Sequence, residues 1–246
     1  MKTIQSEEIS YRHGDVEMVG SIFHDAALDG PLPLVLVVHE WWGCNDYVRH
    51  RARMLAQLGY AGFAVDLYGG GRTAGSPEEA EELMNELLGD RAGLRGRFMA
   101  AMSAAAERPI VDADKTAAIG YCMGGGIVLH MARTGTDLAA VASFHGALPL
   151  AIAQEGEAAE VTARMAVYHG EADEFVSGDD VSAFLAEVER ARADCLFVLL
   201  PGATHGFTNP EATTRGEKFG LPLRYSELAD RSSWDHMRLV LEAAFR

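Results

Sequence analysis

The feature that most restricts what this chain can fold into is a repeated alternation of short, continuous apolar runs with stretches of helical spacing. Leu34 to Val38 is one such run, apolar at every position, which is the form of a strand covered on both faces. From Asp46 onward Tyr47, Arg51, Met54, Leu55 and Leu58 follow a helical period, and Gly59 sits where a helix ends in the left-handed conformation. Tyr60 to Val65 reads as the next buried strand. In Ser76-Pro77-Glu78-Glu79, Ser76 is placed to cap, Pro77 to take the first helical position and Glu79 to complete a capping box, so the pattern predicts a helix over 77–88. A second helix is expected over 91–107, strands over 116–121, 139–144, 165–169 and 195–200, and helical stretches over 180–193 and 233–245. Val16, Met18 and Ile22, evenly spaced, open the chain with strand of antiparallel character. No internal repeat or low-complexity tract interrupts the series.

Repeated βα units require crossovers over the faces of a sheet. The expected class is therefore α/β: a mostly parallel sheet with an antiparallel N-terminal strand region and helices on both faces, formed by residues 1–246 as a single domain. Sites in such sheets gather at the carboxyl ends of strands. Glu40, Asp66, Cys122, His145, Asp173 and His205 all follow expected strands and would collect on one rim.

The formal net charge of −15 disfavours nucleic acid and anionic lipid as partners, since no local stripe of Lys and Arg offsets it. MKTIQSEEIS lacks the apolar run of a signal peptide, and no stretch approaches the length of a membrane span. A soluble, cytoplasmic protein is expected, its three cysteines, Cys44, Cys122 and Cys195, remaining thiols. Nothing in the sequence fixes an oligomeric state.

Gly120-Tyr121-Cys122-Met123-Gly124 has the form of a nucleophile elbow, G-x-S-x-G, with sulfur in place of the hydroxyl. A nucleophile at the tip of a sharp strand-to-helix turn needs neighbours without bulk two residues away on either side. At a helix N-terminus the macrodipole and free N–H groups favour a thiolate. The oxyanion of an attacked carbonyl would be received by the N–H of Met123 and by one from the loop after Val38, for which Trp41 is chosen. A base and an orienting acid should follow in that order of chain: nucleophile, acid, histidine. Asp173 and His205 comply, each just after a later strand, although Glu171 and Glu174 stand beside Asp173 and are open alternatives. Alone, G-x-C-x-G is also what a small core cysteine would give.

These segments together resemble the dienelactone hydrolase family of α/β-hydrolases over nearly the whole length. The matching stretches are His39-Glu40-Trp41-Trp42-Gly43, Gly59-Tyr60 with Asp66-Leu67-Tyr68-Gly69, Gly120-Tyr121-Cys122-Met123-Gly124-Gly125, His169-Gly170-Glu171-Ala172-Asp173 and His205-Gly206-Phe207. The resemblance implies an α/β-hydrolase fold, a Cys-His-Asp triad cleaving a small ester or lactone, and a glutamate, here Glu40, that helps generate the thiolate. Against this, Glu40 could simply cap the helix near Asn45. Family members acting on dienelactone hold its carboxylate with arginines, one shortly after the catalytic histidine, where this chain has Asn209. Arg72 or Arg215 would have to serve instead, and a less charged ester or lactone fits equally.

Trp42, Tyr68 and Phe207, with Trp41 and Arg72, are candidates for the pocket wall, core packing being the plainer account of Trp42 and Tyr68. Residues 206–232 are expected to form a long polar cover. A metal site is not expected, because H-E-x-x-H and paired C-x-x-C are absent, and Gly120 to Gly126 lacks both nucleotide-loop patterns, so no cofactor is expected. The competing reading is a non-catalytic binding module on the same fold.

Overall fold

The computed structural model describes residues 2–152 and 160–246. Its strands are β1 (Ile4–His13), β2 (Val16–Asp25), β3 (Leu32–Val38), β4 (Ala61–Val65), β5 (Val111–Tyr121), β6 (Ala140–Phe144), β7 (Arg164–Gly170) and β8 (Cys195–Leu200). They form one sheet in the order β1-β2-β4-β3-β5-β6-β7-β8. The helices are α1 (Asp46–Leu58), α2 (Pro77–Leu88), α3 (Arg91–Ala106), α4 (Met123–Arg133), α5 (Gly178–Ala191), α6 (Ala212–Phe219) and α7 (Glu227–Ala244), with one short 3-10 turn at Leu148–Ala151. The chain divides into two compact units, Met1–Ala117 and Ala118–Arg246.

In the first unit β1 and β2 are antiparallel, β2 pairs antiparallel with β4, and β3 runs parallel to β4. The expected antiparallel opening is thus a complete two-stranded ribbon. Its outer member β1 escapes a hydrophobic reading because only Ile9 and Tyr11 along it are buried apolar side chains. Helix α1 is bounded as its sequence requires: Asn45 caps it by accepting from the Tyr47 and Val48 N–H groups, and Gly59 closes it at φ 102°. Ser76 accepts from the Glu79 N–H, but the Glu79 carboxylate takes the Gly75 N–H, so only half of the expected capping box forms. Fully buried Asp66, at the end of β4, gathers the N–H groups of Val19, Tyr68, Gly69 and Gly71. It anchors the glycine loop and is wholly used in doing so.

In the second unit β6, β7 and β8 run parallel, α4 packs on β6, and α7 packs on β6 and β7. The core includes a stacked column of Tyr121, Phe144 and Tyr168, with successive ring centroids 4.9 Å apart. Residues 206–232 are more ordered than the polar cover expected of them, since they contain α6 and the first turn of α7. Among the described residues no helix is long and apolar enough to cross a membrane.

Candidate active site

Strand β5 ends at Tyr121 and α4 begins at Met123, so Cys122 alone makes the turn, with φ 54° and ψ −119°. A non-glycine residue holds such a conformation only where its surroundings over-determine it. The Cys122 N–H donates to the Phe144 carbonyl, and the Cys122 carbonyl accepts from Gly125, Gly126 and Ala147. The glycines permit the approach: a Cβ on Gly120 would lie 2.1 Å from the Gly124 carbonyl oxygen, and one on Gly125 2.8 Å from the Gly146 Cα. The sulfur makes no capping hydrogen bond and is partly exposed. Met123 is the first residue of α4 and follows the elbow directly.

His205 follows β8 on the loop after Thr204 and is 5% exposed. Its Nδ1 is 2.8 Å from Asp173 Oδ2, and Asp173 Oδ1 accepts from the Phe175 N–H at 2.9 Å. With Nδ1 so used, Nε2 remains for Cys122, to which His205 hydrogen-bonds. Burial by itself would push the imidazole down. The neighbouring Cys122 sulfur and the Asp173 carboxylate outweigh it, and the His205 pKa is raised to about 10. Of the neighbouring carboxylates, Glu171 instead accepts from the Gly202 N–H, so Asp173 is the one that pairs with His205. Nearby His169 is pushed down, mainly by burial.

Glu40 and Trp41 follow β3 in the first unit, where Glu40 is 5% exposed. The capping role near Asn45 is filled by Asn45 itself. Behind it, His39 Nδ1 lies 2.6 Å from the Glu40 carbonyl and the Leu67 N–H points at His39 Nε2. One contact requires a proton on Nδ1 and the other a bare Nε2, so His39 is held as a single neutral tautomer. Burial, which pushes its pKa down, agrees.

The expected pocket wall is largely core. Trp42, Tyr68 and Phe207 have almost no exposed surface, and the Tyr68 hydroxyl donates to the Trp41 carbonyl. Arg72 is bound by Glu86 and by the carbonyls of Tyr68 and Gly69, and Arg215 is paired with Glu211. Asn209 accepts from the Glu211 N–H and shapes the turn into α6. Sequence reasoning missed Phe175, whose ring lies 4.9 Å from that of His205 and which is 46% exposed. Its only signal was its position two residues after the acid.

Among the described residues no group of His, Cys, Asp and Glu is arranged to hold a metal. An elbow cysteine hydrogen-bonded to a histidine that is itself paired with an aspartate, on a mostly parallel sheet, places the protein among α/β-hydrolases.

The comparisons narrow this. The dienelactone hydrolase family profile matches residues 21–245, and the chain belongs to that family. Its structure is similar to that of P91, a dienelactone hydrolase-like promiscuous phosphotriesterase from metagenomic libraries, with TM-score 0.92, 34% identity and 99% of each chain covered. A putative dienelactone hydrolase from Klebsiella pneumoniae superposes with TM-score 0.79 at 25% identity, covering 98% of this chain and 99% of that one. A putative carboxymethylenebutenolidase of Aquifex aeolicus is 30% identical over 182 residues, covering 72% of this chain and 77% of the relative. The protein is a hydrolase of this kind.

Proposed function

We propose that the chain cleaves a small ester or lactone by covalent catalysis from Cys122. One observation carries the reading: Asp173, His205 and Cys122 form a continuous hydrogen-bonded chain that ends on an elbow sulfur. In this mechanism the thiolate attacks the carbonyl carbon while His205 holds the proton taken from sulfur. The oxyanion is received by the N–H of Met123, next after the nucleophile. Collapse expels the alkoxide, which takes the His205 proton and leaves a thioester on Cys122. Water, deprotonated by His205, then attacks the thioester and returns the sulfur with the carboxylic acid product. Asp173 fixes the tautomer and plane of His205 throughout.

The two arginines that would have to grip an anionic substrate are both engaged by glutamates. We therefore read the substrate as a less charged ester or lactone rather than dienelactone itself. The free thiols suit a reducing cytoplasm, and no nucleic-acid, membrane or cofactor partner enters the scheme. A survey over p-nitrophenyl esters, simple lactones and dienelactone tests the reading, with Cys122→Ala and His205→Ala as controls; P91 adds a phosphotriester to the panel. Both variants should lose about three or more orders of magnitude in kcat/KM while keeping native far-UV circular dichroism. Undiminished turnover in Cys122→Ala would sink the mechanism. A well-folded wild type inactive on every substrate would favour the binding-module reading.

A further inference from the structure

A catalytic imidazole on a loop needs something to fix its plane, and the Asp173 contact secures only one atom of the ring. Two rings pack against His205: Phe175 at 4.9 Å and His145 at 5.1 Å between centroids. Phe175 is half in solvent, whereas His145 has no exposed surface. His145 follows β6 directly, its N–H bound to the Tyr168 carbonyl at 2.9 Å, so its backbone is held by the sheet. It adopts φ 39°, a left-handed conformation that a residue with a side chain rarely takes without a reason.

The reason lies at the far end of the ring. His145 Nε2 is 2.7 Å from the Thr208 hydroxyl, and Thr208 is also completely buried. Thr208 belongs to the same tight turn as His205: Gly206 has φ 72°, and the Asn209 N–H returns to the Gly206 carbonyl. The opposite edge of that turn is held by Arg224 and Ser226, whose N–H groups donate to the carbonyls of His205 and Phe207. The Phe207 ring meets His145 edge-on at 84°.

We infer that His145 and Thr208 form a positioning pair that clamps the 205–209 turn to the end of β6 and so sets the plane of the His205 imidazole. His145 is a positioning residue in this scheme. It acts through Thr208 and through its ring contact, and the inference rests on the reading of His205 as the base.

The test measures p-nitrophenyl acetate hydrolysis by the full chain. Thr208→Val keeps the side-chain shape and deletes the hydroxyl; kcat should fall about ten- to a hundredfold through misplacement of the base, with KM moving by less than about threefold. Thr208→Ser should restore most of the loss. His145→Phe keeps a ring but loses the hydrogen bond and should match Thr208→Val, and the double variant should be no slower than either single one, because both cut one link. Wild-type kcat in Thr208→Val, or multiplicative losses in the double variant, overturns the pair. If Thr208→Val does not fold, His145→Phe decides alone, wild-type kcat again being the overturning result. Cys122→Ala measured alongside separates the two readings. If it is dead while Thr208→Val is unaffected, only the clamp fails; if it is active, the triad fails and the clamp with it.

Discussion

The three thiols of this chain occupy three different environments. Burial pushes Cys44 up to about 12 and Cys195 up to about 11, so both stay protonated near neutrality. Cys122 is partly exposed, begins a helix and faces His205. Iodoacetamide at pH 7 should therefore label Cys122 far ahead of the other two, as peptide mass spectrometry of the native protein will show; rapid labelling of Cys44 would contradict the assignment. The largest influence raising His205 is the Cys122 sulfur. In Cys122→Ala the His205 titration followed by NMR should move down from about 10, and a value unchanged by the substitution would assign the shift to Asp173 alone. The sign for stability follows from the same shift. Because the folded value exceeds the ordinary 6.5, protonated His205 stabilises the fold in full below pH 6.5, and this contribution is lost as pH rises through about 10.

The elements around the elbow are joined with little tolerance. Gly120→Ala would drive a Cβ into the Gly124 backbone, which cannot swing aside as a side chain can. Its expected cost is about 2 kcal/mol or more in a urea melt, with loss of esterase activity. Farther along α4, Arg133 in the last turn is hydrogen-bonded to Glu187 of α5, both nearly devoid of exposure. Glu187→Leu leaves a buried guanidinium without its counter-charge and should cost about 3–5 kcal/mol, whereas Arg133→Met with Glu187→Leu should recover most of that. Equal destabilisation by the single and double variants would show that packing, not charge, sets the cost. At this scale the sequence was most readable where a local rule acts alone. Helix 77–88 and strand 195–200 have the expected bounds because caps and apolar runs define them. Strand β5 begins five residues before its expected start, because Val111 to Lys115 carry the polar side chains Asp112, Asp114 and Lys115 and no apolar run. Helix α7 likewise starts at Glu227, ahead of the expected 233, since Ser226 supplies a cap that sequence spacing did not single out.

For the molecule as a whole, the strand-helix alternation was enough to foresee a mostly parallel sheet, and the elbow with a later Asp and His was enough to choose the residues the structure brings together. What could not be foreseen was the support around them. His145 was expected on the rim only as a residue that follows a strand, and its ring contact with His205, like that of Phe175, has no periodicity and no motif. Arg72 looked available because its partner Glu86 lies a helix away in sequence. Net charge enters at this scale too. β8 closes one end of the sheet with Leu196 and Leu199 43% and 51% exposed, and a charge of −15 makes copies repel one another at neutral pH. Light scattering should rise as the pH is brought from 7 to the isoelectric value near 4.9, and Leu199→Lys should suppress that rise without altering kcat. Equal scattering by the variant would exclude the strand edge as the route.

The backbone of the turn at residue 122 is fastened through main-chain atoms: its N–H has one acceptor and its carbonyl three donors. No part of that fastening involves the side chain. The seat of the nucleophile and the atom that occupies it are thus separately adjustable, so exchanging sulfur for oxygen should leave the backbone path intact while changing the chemistry and the charge that His205 feels, and a scaffold of this kind can test one nucleophile against another without being rebuilt.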